Sequence, residues 1–264
     1  MNTVQEFAKS KSAGRRISMV TCYDACLARV LESSAVDCLL VGDSVAMVVH
    51  GYTDTLSATV EMMATHTAAV RRGAPSRFLV ADLPFLSFRK GVPTALDAAG
   101  ALMRAGAQAV KLEGVAGHED AIAAMVGSGI PVMGHLGLTP QSVHAMSGFH
   151  VQARSDFEAA RLLEQARQLE ALGCFALVLE CVPSALAAEI TADLAIPTIG
   201  IGAGAACDGQ VLVLHDLLGL SGAFKPRFLR TYLDGFERVR DAVDRFDRDV
   251  KQGAFPSVAE SYVA

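Results

Sequence analysis

The residues most able to do chemistry stand where hydrophobic runs of the sequence end. They are carboxylates, a lysine, a histidine and a hydroxyl, which together can bind a metal, hold an acid and move protons. Asp82 interrupts the run LVADLPFLSF (79–88), and a carboxylate buried there without a partner would be costly. Asp82 therefore needs a partner, and the partner that we expect is a metal ion. The full set in chain order is Asp43, Ser44, Asp82, Lys111, Glu113, His135 and Glu180.

Three of these carboxylates form a candidate metal site: Asp43, Asp82 and Glu113. Crowded carboxylates repel one another unless a cation or protons compensate, and an all-oxygen ligand set suits a hard ion such as Mg²⁺. Because Mg²⁺ usually keeps several waters, Asp43 and Asp82 could bind it directly while Glu113 acts through a water. The open positions would then hold substrate oxygens.

Each candidate also has a purely structural alternative. An Asp at a strand end is often the N-cap of the next helix, which remains open for Asp43 and Asp82. Lys111 and Glu113 lie two residues apart and share a strand face, so they could pair with each other or both reach a substrate. His135 could be a packed, hydrogen-bonded histidine or a substrate contact.

Eight short apolar runs, most of them followed by a stretch of helical character, must position these residues. Continuous apolar runs are typical of parallel strands covered on both faces. Eight such β units alternating with helices over about 250 residues predict a (β/α)8 TIM barrel, and an open doubly wound sheet is the alternative. In a barrel the candidate residues share the rim at the C-terminal strand ends. The runs are 17–24, 36–44, 77–84, 109–114, 130–138, 174–180, 196–204 and 211–216.

Three further segments complete the predicted architecture. Residues 155–173 read as a helix with Ser155 as cap, Glu158 three residues later and Gly173 at the end. Residues 3–11 predict a short helix that plugs the bottom of the barrel, and 227–253 predict a long charged helix that could serve an interface. We expect one domain over 1–264: the barrel, its N-terminal helix and a C-terminal helical extension.

Composition excludes several function classes. The net charge of −5 provides no basic field for nucleic acid. No apolar stretch approaches the ~18 residues of a membrane span, and the N-terminus lacks a signal-peptide core, so we expect a cytoplasmic protein. Cys22 and Cys26 have no second pair at zinc-finger spacing. The glycines of IGIGAG (199–204) could form a phosphate loop or simply allow tight packing.

Several long segments, in order, resemble the ketopantoate hydroxymethyltransferase family from about Val4 to Tyr232. The resemblance implies a (β/α)8 barrel of the phosphoenolpyruvate mutase and isocitrate lyase type. It also implies Mg²⁺, 5,10-methylenetetrahydrofolate as one-carbon donor, 2-oxoisovalerate as acceptor, a role in pantothenate biosynthesis and a decamer built from dimers. The segments are GDSVAMVVHGYTDTL, ADLPFLSF, VKLEG, VMGHLGLTPQSV, LVLECVP, IPTIGIGAGAACDGQVLVLHDLLGL and KPRFLRTY.

The resemblance assigns roles residue by residue, and they coincide with the strand-end set. Asp43 and Asp82 match the metal-binding aspartates, and Glu113 matches the third metal-site carboxylate. Ser44 and Lys111, with the two aspartates, match the residues that hold the keto acid. Glu180 matches the proton acceptor, so it is the catalytic candidate.

The chain departs from the family pattern in two places. SGFHVQAR carries Ser147, His150 and Ala153 where the family more often has Gly, Lys and Gly, and GDSVAMV carries Ala46 in place of a glycine. We expect the first loop to move or pack differently, with the assigned chemistry unchanged.

Three other functions remain open at the level of sequence. Lys111 could form a Schiff base with the keto acid, as aldolase lysines do. The chain could be a related lyase or mutase that needs no folate. It could also be a non-catalytic barrel that binds a phosphate or nucleotide at the IGIGAG turn.

Overall fold

The computed structural model describes residues 1, 3–222 and 226–262, so Lys225 of the KPRFLRTY segment lies outside the described residues. The strands are β1 Ile17–Thr21, β2 Cys38–Val41, β3 Phe78–Asp82, β4 Ala109–Glu113, β5 Val132–Gly137, β6 Ala176–Glu180, β7 Thr198–Ile201 and β8 Gly209–Leu212. The helices are α1 Val4–Ser12, α2 Ala25–Glu32, α3 Val45–Val48, α4 Val60–Gly73, α5 Val92–Arg104, α6 Glu119–Gly127, α7 Asp156–Ala171, α8 Ser184–Asp193, α9 Leu214–Leu217 and α10 Gly235–Lys251.

The eight strands close into a parallel barrel in chain order, which confirms the predicted fold class. Closure is shown by β1, which pairs in parallel with both β2 and β8: Met19 lies opposite Cys38 on one side and opposite Val211 on the other. The open-sheet alternative is therefore wrong. Because all strands run in one direction, their C-terminal ends form a single rim.

Both faces of the strands are covered, which explains their continuous apolar runs. Every residue of β2, β3, β4 and β5 is buried. The barrel interior is filled by one apolar cluster from the strands, and Phe7 of α1 belongs to it. The Phe7 ring contacts Phe78 at 5.2 Å and Phe175 at 5.1 Å, both at N-terminal strand ends. The predicted plug at the bottom of the barrel is thus confirmed.

Local signals set the helix ends. At α7 the Ser155 hydroxyl accepts from the Glu158 N–H while Glu158 accepts from the Ser155 N–H, forming the predicted capping box. Gly173, with φ of +91°, ends the turn after α7 in a conformation that other residues rarely adopt. At α2 the Asp24 carboxylate accepts from two N–H groups of the first turn.

The eighth strand starts earlier than the sequence predicts. Its predicted run was 211–216, but β8 is Gly209–Leu212, and His215 and Asp216 lie in α9. The first residue of β8 must be a glycine, because a Cβ added at Gly209 would lie only 2.5 Å from the Ile17 carbonyl oxygen of β1. A glycine required by close packing contributes no apolar signal, so the pattern missed the start of this strand.

The chain divides into two compact units, 1–213 and 214–264, and the barrel forms the first. In the second, α10 places Phe236, Val239, Val243, Phe246 and Val250 at helical spacing, and all five are exposed. The prediction of one domain over 1–264 stays a prediction. Among the described residues no helix is both long and apolar enough to span a membrane.

Candidate active site

A small cavity of about 130 Å³ opens at the C-terminal rim of the barrel. It is far smaller than the roughly 300–1,000 Å³ of pockets for drug-sized ligands, so it suits a small molecule. All seven strand-end candidates line it: Asp43, Ser44, Asp82, Lys111, Glu113, His135 and Glu180.

Strand register brings these side chains together. Asp82 at the end of β3 lies opposite Lys111 of β4, and Glu113 at the end of β4 lies opposite His135 of β5. Glu180 ends β6 and lies opposite Gly137. An added Cβ at Gly137 would collide with the Glu180 carbonyl oxygen, so a glycine is required there for Glu180 to take its place.

Asp82 has a cationic partner. Its Oδ1 lies 2.9 Å from Lys111 Nζ, and both side chains are buried. Its Oδ2 accepts a hydrogen bond from the Asp43 backbone N–H at 3.1 Å. Burial lowers the pKa of Lys111, but the charges of Asp82, Glu113 and Asp43 outweigh burial and raise it, so Lys111 stays charged. The cation that faces Asp82 in this structure is therefore a lysine.

Asp43 is a buried carboxylate close to two other carboxylates. Burial, followed by the charges of Asp82 and Glu113, raises its pKa well above the ordinary value. The Gln141 side-chain amide donates to Asp43 Oδ2 at 2.8 Å. Ser44, and not Asp43, is the N-cap of α3, and its side chain makes no capping bond.

Gln141 is a site residue that the sequence reasoning missed. It lies on a short 3₁₀ helix, Pro140–Ser142, directly after β5. Its backbone N–H donates to Glu113 Oε2 at 3.0 Å, and its side-chain amide donates to Asp43 and to the Leu83 carbonyl. Gln141 thus joins two predicted metal ligands. The signal available was a polar residue soon after a strand end, in HLGLTPQ.

His135 connects the acidic side chains. Its Nε2 lies 3.1 Å from Glu180 Oε2, and its Nδ1 lies 3.6 Å from Glu113 Oε1 and 3.3 Å from Lys111 Nζ. Burial and the Lys111 charge lower the pKa of His135, but Glu113 and Glu180 outweigh them and raise it to about 9. His135 therefore lies bonded within the rim, between the carboxylates of Glu113 and Glu180.

Tyr23 is a second residue that the sequence reasoning missed. It follows β1, is buried, and its hydroxyl lies 2.8 Å from Ser44 Oγ in a hydrogen bond. Burial raises the pKa of Tyr23, so the phenol stays protonated. The pair fixes the direction of the Ser44 hydroxyl at the edge of the cavity.

The donor set at the rim fits a hard divalent cation. Among the described residues that line the cavity there are four carboxylates, those of Asp43, Asp82, Glu113 and Glu180, together with one lysine, Lys111, and one histidine, His135. In the part of the chain that the structure describes, no three His, Cys, Asp or Glu side chains are placed to hold an ion together. Mg²⁺ usually takes only one or two carboxylates directly and completes its shell with waters, so direct binding by Asp43 and Asp82 needs no third ligand and stays a prediction.

Two structural alternatives can now be decided. The helix after Asp82 is α5, whose N-cap is Gly91, so Asp82 is no helix cap. The IGIGAG turn leads into β8, and an added Cβ at Gly204 would lie 2.5 Å from Ser184 Cβ. Gly204 therefore serves packing, and the element that follows the turn is a strand and not a helix whose N-terminus could hold a phosphate.

The loop that departs from the family pattern contains two strained residues. Ser147 has φ of +57° and Ala153 has φ of +54°, the left-handed region where glycine is favoured. His150, the third departure, lies with Nε2 2.9 Å from the Ser147 carbonyl oxygen. The Gln152 N–H donates to the Cys181 carbonyl at 2.8 Å, which ties the loop to the residue after Glu180.

Restoring the two glycines should stabilise the protein. Ser147→Gly and Ala153→Gly each remove left-handed strain, partly offset by the greater freedom of glycine in the unfolded chain, for a net gain of about 0.5–1 kcal/mol per site. Chemical denaturation measures the change. Ala46→Gly is the matched control: Ala46 lies in α3, so glycine there should lower stability. Equal effects at all three positions would contradict the strain argument.

Comparison with known proteins gives one consistent family. A family model described as ketopantoate hydroxymethyltransferase matches residues 1–258. A protein of Bdellovibrio bacteriovorus named 3-methyl-2-oxobutanoate hydroxymethyltransferase is 54% identical over 262 residues, covering 99% of this chain and 100% of the relative. Proteins of the same name from Coxiella burnetii and Francisella tularensis are 53% and 47% identical, covering 97% and 99% of this chain and 96% and 99% of theirs.

Solved structures resemble this chain in fold. Phosphonopyruvate hydrolase in complex with oxalate and Mg²⁺ superposes with a TM-score of 0.63 at 13% identity, covering 98% of this chain and 93% of that one. The 2,3-dimethylmalate lyase, a PEP mutase/isocitrate lyase superfamily member, gives 0.61 at 16% identity, covering 100% and 92%. At these identities the likeness shows the fold alone, a parallel β/α barrel, as predicted.

Proposed function

Because the chain belongs to the ketopantoate hydroxymethyltransferase family, we propose that it transfers a hydroxymethyl group to 2-oxoisovalerate to give ketopantoate, a step of pantothenate biosynthesis. The one-carbon donor is 5,10-methylenetetrahydrofolate. The observation that carries the proposal is the cavity itself, which is lined by every residue that the resemblance assigns to metal binding, keto-acid binding or proton transfer. The enzyme is a transferase, as its relatives are named.

The rim carboxylates would hold the metal. Asp43 and Asp82 would bind Mg²⁺ directly and Glu113 through a water, with Gln141 keeping Asp43 and Glu113 in place. When bound, Mg²⁺ supplies Lewis-acid polarisation of the substrate's keto group, which makes the neighbouring C–H acidic. Burial, followed by repulsion from Asp82 and Glu113, raises the pKa of Asp43, and a divalent cation held there would offset that repulsion.

Lys111 and Ser44 hold the keto acid. Lys111 stays charged beside Asp82 and so attracts the substrate's negative charge. The Ser44 hydroxyl, fixed by Tyr23, can bond a carboxylate oxygen. Because these contacts are buried and preorganised, they orient C3 of the acid toward Glu180.

Glu180 is the general base. Its carboxylate lines the cavity next to His135 and takes the proton from C3 of 2-oxoisovalerate. The methylene carbon of the folate is bonded to two nitrogens, and both C–N bonds must break. Water replaces the first of these bonds and supplies the hydroxyl, while its other proton goes to the freed nitrogen. The C3 electron pair forms a bond with the same carbon as the second C–N bond breaks, the second nitrogen takes up the proton that Glu180 removed, and tetrahydrofolate leaves.

The proposal is tested by assaying ketopantoate formation from 2-oxoisovalerate and methylenetetrahydrofolate, with and without a chelator. We expect turnover to stop with the chelator and to return with Mg²⁺. Borohydride added with 2-oxoisovalerate should trap nothing on Lys111, because Lys111 is charged and paired with Asp82.

Three results would contradict this function. A borohydride adduct at Lys111 would support a Schiff-base route in place of the metal route. Turnover of a keto acid without folate would indicate a related lyase or mutase. Phosphate binding without keto-acid binding would indicate a non-catalytic barrel. The decamer and the cytoplasmic location stay predictions.

A further inference from the structure

Thr55 is a buried polar residue of the cavity to which the proposed function gives no role. It lies in the loop between α3 and α4 and lines the cavity with Asp43, Ser44 and Lys111. The residue is only 2% exposed, and its Oγ1 is buried without a hydrogen-bond partner among the described residues. A buried hydroxyl without a partner costs free energy, so a ligand that accepts a hydrogen bond from it gains affinity.

The backbone around Thr55 is held in a defined turn. The Asp54 carboxylate accepts from the Leu56 N–H at 3.0 Å, and the Thr55 carbonyl accepts from the Ala58 N–H at 3.1 Å. These bonds on either side of Thr55 fix where its side chain starts. Its hydroxyl is therefore a preorganised group and not part of a loosely placed segment.

The two other donors that the proposed function gives to the keto acid, Lys111 and the Ser44 hydroxyl, are each shared with a partner in the protein. Lys111 pairs with Asp82 and lies near His135, while the Ser44 hydroxyl is hydrogen-bonded to Tyr23. The carboxylates on the same wall can only accept when ionised. An acid that enters this cavity brings further acceptor oxygens and so needs donors, which the Thr55 hydroxyl can supply.

We propose that Thr55 is a substrate-binding residue whose hydroxyl donates a hydrogen bond to a carboxylate oxygen of the keto acid in the cavity. This assignment rests on the proposed function, since it takes 2-oxoisovalerate as the ligand. The ionised carboxylate is the strongest acceptor that such a substrate carries. Thr55 adds a contact to those of Ser44 and Lys111 and comes from a loop, not from a strand end.

Calorimetric titration of 2-oxoisovalerate in the presence of Mg²⁺ tests the assignment. Thr55→Val keeps the shape of the side chain and removes the hydroxyl, and we expect binding to weaken by about 10- to 100-fold. Thr55→Ser keeps the hydroxyl and should bind close to the unsubstituted protein. In turnover assays the Val variant should show a raised KM with kcat little changed, because the contact is present before and during the reaction.

Thr67 provides a matched control. It is 0% exposed and its Oγ1 also has no partner among the described residues, but it lies in α4 and does not line the cavity. Thr67→Val should leave 2-oxoisovalerate binding unchanged. Loss of binding in Thr67→Val equal to that in Thr55→Val would overturn the assignment, because burial of a hydroxyl would then be the cause.

The outcomes separate the two proposals. If the unsubstituted protein binds 2-oxoisovalerate and Thr55→Val binds it equally well, the Thr55 assignment is overturned and the proposed function stands. If the unsubstituted protein does not bind 2-oxoisovalerate, both fail. Thr55→Ala also lacks the hydroxyl, so it must show the same loss; normal binding by this variant would likewise overturn the assignment.

Discussion

Glu180→Gln should lower turnover by about 10²- to 10⁴-fold while 2-oxoisovalerate still binds. The amide has the shape of the carboxylate but cannot take a proton from C3. Its carbonyl oxygen can still face His135 Nε2, which lies 3.1 Å from Glu180 Oε2, so the wall of the cavity is preserved. The sharpest measurement is exchange of the C3 hydrogen with deuterated water followed by NMR, because this half-reaction needs no folate.

The same substitution elsewhere provides the control. Glu170 of α7 accepts hydrogen bonds from the Ala195 and Ile196 N–H groups and does not line the cavity. Glu170→Gln should exchange the C3 hydrogen at the unsubstituted rate. If Glu180→Gln also exchanges at that rate, another group is the base, and His135 is the next to test. A parallel loss of keto-acid binding would mean that Glu180 holds the substrate.

The barrel could be predicted because the residues that favour each strand or helix lie within or next to that element in the sequence. Strands buried on both faces need continuous apolar residues, and helices need caps such as Ser155 with Glu158, so both patterns stand in the sequence. The start of β8 could not be predicted in this way. Gly209 is required by the approach of Ile17, a residue far away in the chain, and no local pattern records such a contact.

The strand-end half of the site was also predictable. In a parallel barrel every strand ends at one rim, so polar residues that end apolar runs must meet there, as Asp82 meets Lys111. The other half comes from loops. Thr55 lines the cavity, and Gln141 and Tyr23 bond to residues that line it. These positions depend on how the loops fold, and in the sequence a polar loop residue at the site looks like any other.

The cation that faces Asp82 shows the limit of charge arguments from sequence. The crowding of Asp43, Asp82 and Glu113 predicted a metal, whereas the positive charge that contacts Asp82 in the structure is Lys111. Both statements fit one site, because a single lysine does not balance three carboxylates. The residue types show that the site needs positive charge. Only the register of β3 with β4 shows that Lys111 supplies part of it.

Asp82→Asn should weaken the binding of Mg²⁺ and of 2-oxoisovalerate together, and it should lower the free energy of unfolding by about 3–5 kcal/mol. The substitution removes a charge that the metal needs and leaves Lys111 buried without its partner at 2.9 Å. The oxygen of the new amide can still accept from the Asp43 N–H, so the backbone contact is kept. Calorimetric titrations with Mg²⁺ and with the keto acid, and denaturation by urea, measure the three effects.

Asp208→Asn separates these effects from the loss of an ion pair as such. Asp208 pairs with Lys11 at 3.0 Å, and its side chain is 16% exposed against 5% for Asp82. It does not line the cavity. Asp208→Asn should lower the free energy of unfolding by less than Asp82→Asn does, because water screens the Asp208–Lys11 pair more. It should leave the binding of Mg²⁺ and of 2-oxoisovalerate unchanged. If Asp82→Asn binds Mg²⁺ and 2-oxoisovalerate normally, Asp82 is no metal ligand and serves only to hold Lys111. If it loses the keto acid but keeps Mg²⁺, Asp82 acts through Lys111 on the substrate, and the direct carboxylate ligands must be sought at Asp43 and Glu113.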